Sequence, residues 1–100
     1  MATVPTGFRD ALRIELEALV AGERPDLLAW VREYGGPEVS LIRQPDEIWT
    51  HSATDIEERA DGSAFGVLPL WTTGESPSDL SAEFEIDPGG TATIEDVRVL

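Results

Sequence analysis

Two groups of residues have the types and spacing that chemistry needs. In "SDLSAEFEID", Asp79, Glu83, Glu85 and Asp87 fall within nine residues. Carboxylates so grouped can do general acid/base work or hold a divalent cation, provided a pocket desolvates one of them and separates their pKa values. The second group centres on His51, the only histidine. With Asp55 or Glu57 as its orienting carboxylate, it would be a general base. Around both groups the usual accompaniments are missing. The chain has no cysteine, hence no thiolate nucleophile or ligand, and one histidine cannot form a two-histidine metal site. No G-x-S-x-G elbow, G-x-G-x-x-G or G-x-x-x-x-G-K-[ST] run occurs. Neither a cofactor nor a metal is expected, and catalysis by His51 and Asp55 is the lesser reading.

The elements that carry the carboxylates decide between a pocket and a surface. Along "DLSAEFEID", Leu80, Ala82, Phe84 and Ile86 point one way, and Ser81, Glu83, Glu85 and Asp87 point the other. A three-residue loop, Pro88-Gly89-Gly90, with Gly90 left-handed, sets Ile86 opposite Ala92, Phe84 opposite Ile94 and Glu85 opposite Thr93. Beyond Ile94 the apolar residues change from even to odd numbers, at Val97 and Val99. One extra residue at Glu95-Asp96 restores the pattern and predicts Ala82 opposite Val97, Ser81 opposite Arg98 and Leu80 opposite Val99. With Ser81, Thr91 and Thr93 as neighbours, Glu83 and Glu85 then read as the wet face of a hairpin.

Upstream, Phe8, Leu12, Leu16, Leu19 and Val20 recur at helical spacing and predict a helix over 6–21, with Gly22 as its C′ residue. Pro25 suits the first turn of a second helix, 25–34, whose stripe is Leu27, Leu28, Val31 and Tyr34 and whose stop is Gly35-Gly36. After this the period becomes two. Residues 38–42 and 47–52 read as short strands around Pro45-Asp46. "TDIEERA" is either a helical turn with a Thr54/Glu57 capping box or, the reading favoured, a strand entering a type I′ hairpin at Asp61-Gly62. The run 63–73 is apolar on both faces, as a central strand would be. These elements make one α+β domain over 1–100: two N-terminal helices, 6–21 and 25–34, packed on one face of a mainly antiparallel sheet of four to six strands built from 38–100.

Net charge is −13, from twenty acids and seven arginines. Residues 1–36 carry six acids and four arginines, whereas 37–100 carry fourteen acids and only Arg43, Arg59 and Arg98. Direct nucleic-acid binding is disfavoured, because phosphate neutralisation by Lys and Arg supplies most of that affinity. A basic protein, for instance a toxin, is the expected partner. Trp30, Trp49 and Trp71 read first as core anchors. If Trp49 and Trp71 stand instead on the open sheet face, they form with Glu75, Asp79, Glu83, Glu85, Glu95 and Asp96 an aromatic centre with a charged rim. The expected function is therefore a non-enzymatic acidic binding domain, such as an immunity protein or antitoxin covering a basic toxin surface. The alternatives are a small nuclear-transport-factor-2-like pocket using His51, and a regulatory domain that dimerises through an edge strand. A monomer or homodimer in the cytoplasm, without a membrane segment, is the expectation.

The C-terminal half also resembles a group of small bacterial domains of unknown function, on "LWTTGESPSDLSAE" (Leu70 to Glu83) and "IEDVRVL" (Ile94 to Leu100). In that group an "LWT"-type triplet precedes a polar loop, "SDL-[ST]-x-E" and a final "I-x-D-[VI]-x-VL" strand. The resemblance implies the α+β fold and carries no site residues.

Overall fold

A computed structural model describes residues 3–27 and 40–99. Helix α1, Thr6–Val20, is followed by a 3-10 helix, Asp46–Trp49, and by strands β1 Asp55–Glu58, β2 Ala64–Pro69, β3 Leu80–Ile86 and β4 Ala92–Val99. The strands form one antiparallel sheet in the order β1-β2-β3-β4. The fold is α+β, as the sequence predicts. Residues 25–27 are helical, and the rest of the second predicted helix, with Trp30 and Tyr34, lies outside the described residues, as do the first two residues of the predicted strand 38–42; residues 40–42 are described and form no strand. Of that strand, Leu41 forms an isolated bridge to Thr72.

Helix α1 ends as its sequence requires. Gly22 takes φ +83°, and the N–H groups of Gly22 and Glu23 donate to the carbonyls of Leu19 and Ala18, the paired bonds of a Schellman turn. The helix lies against β4 and buries Leu12, Leu16 and Leu19 in one core with Ile94 and Val97 of β4 and the even-numbered side of β3, where Leu80, Ala82, Phe84 and Ile86 are all 2% exposed or less. Each fully buried side chain of this kind is worth about 1.5–3 kcal/mol in transfer free energy, so this one seam dominates the core.

The β3–β4 register is the one the sequence predicts. Ile86 faces Ala92, Phe84 faces Ile94, Ala82 faces Val97, Ser81 faces Arg98 and Leu80 faces Val99, with a shift between Glu83 and Phe84 that leaves Glu95 as the extra residue. The loop is the three-residue type: the Asp87 N–H donates to Thr91, the Gly90 N–H donates back to Asp87, and Gly90 takes φ +91°. The β1–β2 turn repeats this geometry. Arg59 N–H donates to Ser63 and Gly62 N–H to Arg59, with Gly62 at φ +89° and Asp61 at negative φ. The hairpin is present, but its turn is a three-residue loop and not type I′, which needs positive φ at both central residues.

One sequence expectation is overturned in kind. Residues 46–49 form a 3-10 helix and not part of a strand over 47–52. Three contacts from outside the segment hold that conformation. The Arg13 guanidinium donates to the Gln44 carbonyl at 2.5 Å and to Asp46 Oδ1 at 2.9 Å, and lies 5.0 Å from the Trp49 ring centroid. The Trp49 carbonyl accepts from the Val4 N–H. Beneath them Gln44, 1% exposed, uses its whole amide: Nε2 donates to the carbonyls of Ile42 and Trp71, and Oε1 accepts from the Trp71 N–H at 2.7 Å. This fastens the loop to the chain leaving β2.

On each edge strand one N–H is taken by a side chain. Glu15 Oε1 accepts the Ile94 N–H of β4 at 3.1 Å, and Asp55 Oδ1 accepts the Ile56 N–H of β1 at 3.0 Å. Such devices discourage strand addition by another chain.

Two stability changes follow from these contacts. Gln44→Leu strands the buried Trp71 N–H and should cost about 1–3 kcal/mol in urea denaturation. Gly66→Ala would place Cβ 2.0 Å from the Asp55 carbonyl oxygen, so β1 must move, and a loss of about 1–3 kcal/mol or more is expected; an unchanged midpoint would contradict the close β1–β2 approach.

Candidate functional site

The face of the sheet opposite α1 is built from the odd-numbered residues of β1, β2 and β3. Pairing arranges them in transverse rows. Glu57, Phe65, Glu85 and Thr93 form one row, and Asp55, Val67, Glu83 and Asp96 form the next. Adjacent Cα atoms in such rows are about 4.5–5.5 Å apart, and Glu83 and Glu85 stand about 7 Å apart along β3. Glu95, the bulge residue, borders the same depression as Glu85 and Thr93. The face thus has an apolar centre, Phe65 and Val67, ringed by carboxylates from three strands, and Phe65 is 38% exposed.

Two arginines fold onto this ring. Arg59 donates to Glu85 Oε1 at 2.9 Å and to Ser63 Oγ at 3.2 Å, with its guanidinium carbon 4.5 Å from the Phe65 centroid. Arg98 Nε contacts Glu83 Oε1 and lies 3.9 Å from Asp96 Oδ2. That contact relieves repulsion within the acidic row, the role its diagonal register position suggests. All of these side chains are at least one-third exposed or nearly so, so each pair is worth about 0–1 kcal/mol. Among the described residues, Glu57 and Glu95 have no ion pair.

The predicted partner-binding residues divide by position. Glu83, Glu85, Glu95 and Asp96 come together on the open face, where β1 adds Asp55 and Glu57. Asp79 lies exposed just before β3, beside a depression it shares with His51, Val67, Pro69 and Ser81. Glu75 is exposed in the 70–79 loop, where its N–H donates to Thr72 Oγ1. The two tryptophans are core anchors, the first reading of them, and do not stand on the open face: Trp49 is 4% and Trp71 5% exposed. Trp49 is drawn inward by the 3-10 helix. Trp71 follows the end of β2, where the chain turns from the sheet and Ser78 captures the Leu70 carbonyl through both its N–H and its hydroxyl. Core packing is their role, and Phe65 with Val67 supplies the apolar centre instead. Sequence reasoning missed both, although their odd numbering within an apolar run was the available signal.

His51 does not meet the carboxylate proposed for it. Its Nδ1 accepts the Ala53 N–H at 3.0 Å, and its ring meets Trp71 edge-on with centroids 5.5 Å apart. Asp55 instead turns to its own strand edge. Among the described residues His51 forms no hydrogen bond or ion pair with a carboxylate, and no group of three or more His, Asp or Glu residues is placed to hold a metal. The space between α1 and the sheet is filled by Leu12, Leu16, Leu19, Phe84 and Ile94, all 2% exposed or less.

Asp61, in the β1–β2 turn, has its carboxyl held below the usual value of 3.8. The chief cause is the Ser63 hydroxyl that donates to it, assisted by the Ser63 N–H and by the nearby Arg59 charge.

The chain belongs to a family described as Domain of unknown function (DUF7668), whose model matches residues 5–100. No curated protein and no solved structure matches it significantly. Among the described residues no helix is long and apolar enough to cross a membrane.

A carboxyl with a depressed folded pKa adds stability above its unfolded value, and loses it as pH falls through the folded one. Ser63→Ala should therefore return the Asp61 titration, followed by NMR, upward toward 3.8, and should narrow the acid range in which the turn stays formed. An unmoved Asp61 titration would assign the shift to other groups.

Proposed function

We propose that this protein is a non-enzymatic binding domain that docks its open sheet face on a basic surface of another protein, and that the partner is a toxin which it masks as an immunity protein or antitoxin. The observation that carries the reading is the arrangement of Asp55, Glu57, Glu83, Glu85, Glu95 and Asp96 around exposed Phe65 and half-buried Val67. An apolar centre with a charged rim is the anatomy of a specific interface. The rim is predominantly acidic, six carboxylates against Arg59 and Arg98, which attracts a basic partner over a distance set by salt. Toxins that act on nucleic acids need basic clefts to hold phosphates, and an acidic plug is the matching inhibitor. The side-chain caps on the Ile94 and Ile56 N–H groups of the two edge strands disfavour strand pairing there, and support recognition through side chains on the face.

The full chain should capture a basic protein from its source cells. Co-expression should relieve that protein's toxicity. The triple variant Glu57→Lys, Glu83→Lys, Glu85→Lys, shown by circular dichroism to be folded, should lose the relief and associate roughly 10–1000-fold more slowly. A captured partner that is acidic, or that the triple variant neutralises equally well, would overturn the proposal.

A further inference from the structure

The open face already holds a guanidinium. Three surfaces converge on Arg59: the Phe65 ring face, the Glu85 carboxylate and the Ser63 hydroxyl oxygen. Ser63 is 4% exposed, and its hydroxyl proton is committed to Asp61 Oδ1 at 2.6 Å. The oxygen it presents to the face can therefore only accept, which orients this buried group toward an N–H donor. An aromatic face, a carboxylate and an oriented acceptor together select a planar cation with several N–H groups, a guanidinium in preference to an ammonium. The Arg59 and Glu85 side chains are 43% and 44% exposed, so the present occupant is held weakly. Glu57, opposite Phe65 in the pairing, adds a further carboxylate without an ion pair among the described residues.

We propose that Arg59 is the displaceable internal occupant of an arginine-binding site on Phe65, Glu85 and Ser63, and that the basic partner docks by placing an arginine of its own there. This rests on the docking reading above and adds its recognition chemistry. The face is self-masked: a partner arginine must displace Arg59, and the negative field of a chain with net charge −13 favours the exchange. Only a partner that brings both a guanidinium and neighbouring positive charge gains enough to complete it.

The test is calorimetric titration of the full-length protein with capped hexa-arginine and hexa-lysine peptides, with the site of binding mapped by amide NMR shifts. Arg59→Ala should bind hexa-arginine about tenfold tighter than wild type, as expected when a competing exposed ion pair and cation–π contact are removed. Arg43→Ala makes the same change of charge beside Leu16 and Val20 on the helix side, and should tighten binding far less. Phe65→Leu should erase the preference for arginine over lysine. If Arg59→Ala is unfolded by circular dichroism, Arg59→Gln replaces it. Equal gains from Arg59→Ala and Arg43→Ala, or equal binding of the two peptides, would overturn the self-masking site while leaving a salt-sensitive acidic face intact. Peptide shifts that avoid β1, β2 and β3 in every variant would overturn both the site and the docking reading.

Discussion

The extra residue at Glu95 keeps the two faces of the sheet chemically distinct. Without it, Val97 and Val99 would turn to the acidic side and Arg98 into the core, because a one-residue slip exchanges every side chain between faces. The lost ladder position costs about 1 kcal/mol, whereas burying Val97 alone returns about 1.5–3 kcal/mol, so the bulged register wins. The same kink brings Asp96 opposite Glu83 and lets Arg98 reach both. Core and acidic face are thus two results of one irregularity in β4.

The side of the molecule away from the acidic face is tied down by polar contacts that leave that face free. Arg13 links α1 to the 3-10 helix through a carbonyl, a carboxylate and an aromatic ring, and Gln44 links the same loop to Trp71. Cation and amide here satisfy backbone groups that a loop folded against the core would otherwise leave unpaired. The open acidic face is then set by the four strands, whose positions the ladder fixes.

The sequence made the last hairpin legible because every residue from Leu80 to Val99 obeys a period of two except at one point, and the change from even to odd numbers marks that point. Helix α1 was legible for the same reason, with a period of 3.6 and a glycine stop. The segment 46–49 was not. Asp-Glu-Ile-Trp alternates too briefly to define a period, and its conformation is decided by Arg13, Val4 and Gln44, residues that no local pattern connects to it. The alternative that set Trp49 and Trp71 on the open face failed by the same route, since it needed Trp71 in a strand that ends at Pro69. Gln44 itself carries no signal: a single glutamine between an arginine and a proline reads as surface. Of the candidate site, the acids of β3 and β4 were visible as a strand face, while the contribution of β1 and the Phe65–Arg59 contact emerged only when β2 was seen to lie between them.

The bond from Glu15 to Ile94 joins residues 79 positions apart in the chain, and this separation has a consequence for biosynthesis. Helix α1 is translated before β3 and β4, which share one core with its Leu12, Leu16 and Leu19. Its leucine stripe therefore stays uncovered until those strands are made, and docking of helix on sheet is a non-local event, of the kind that slows folding. The acids dispersed through the intervening chain give such partly made chains like charge, which disfavours their association while the stripe is uncovered.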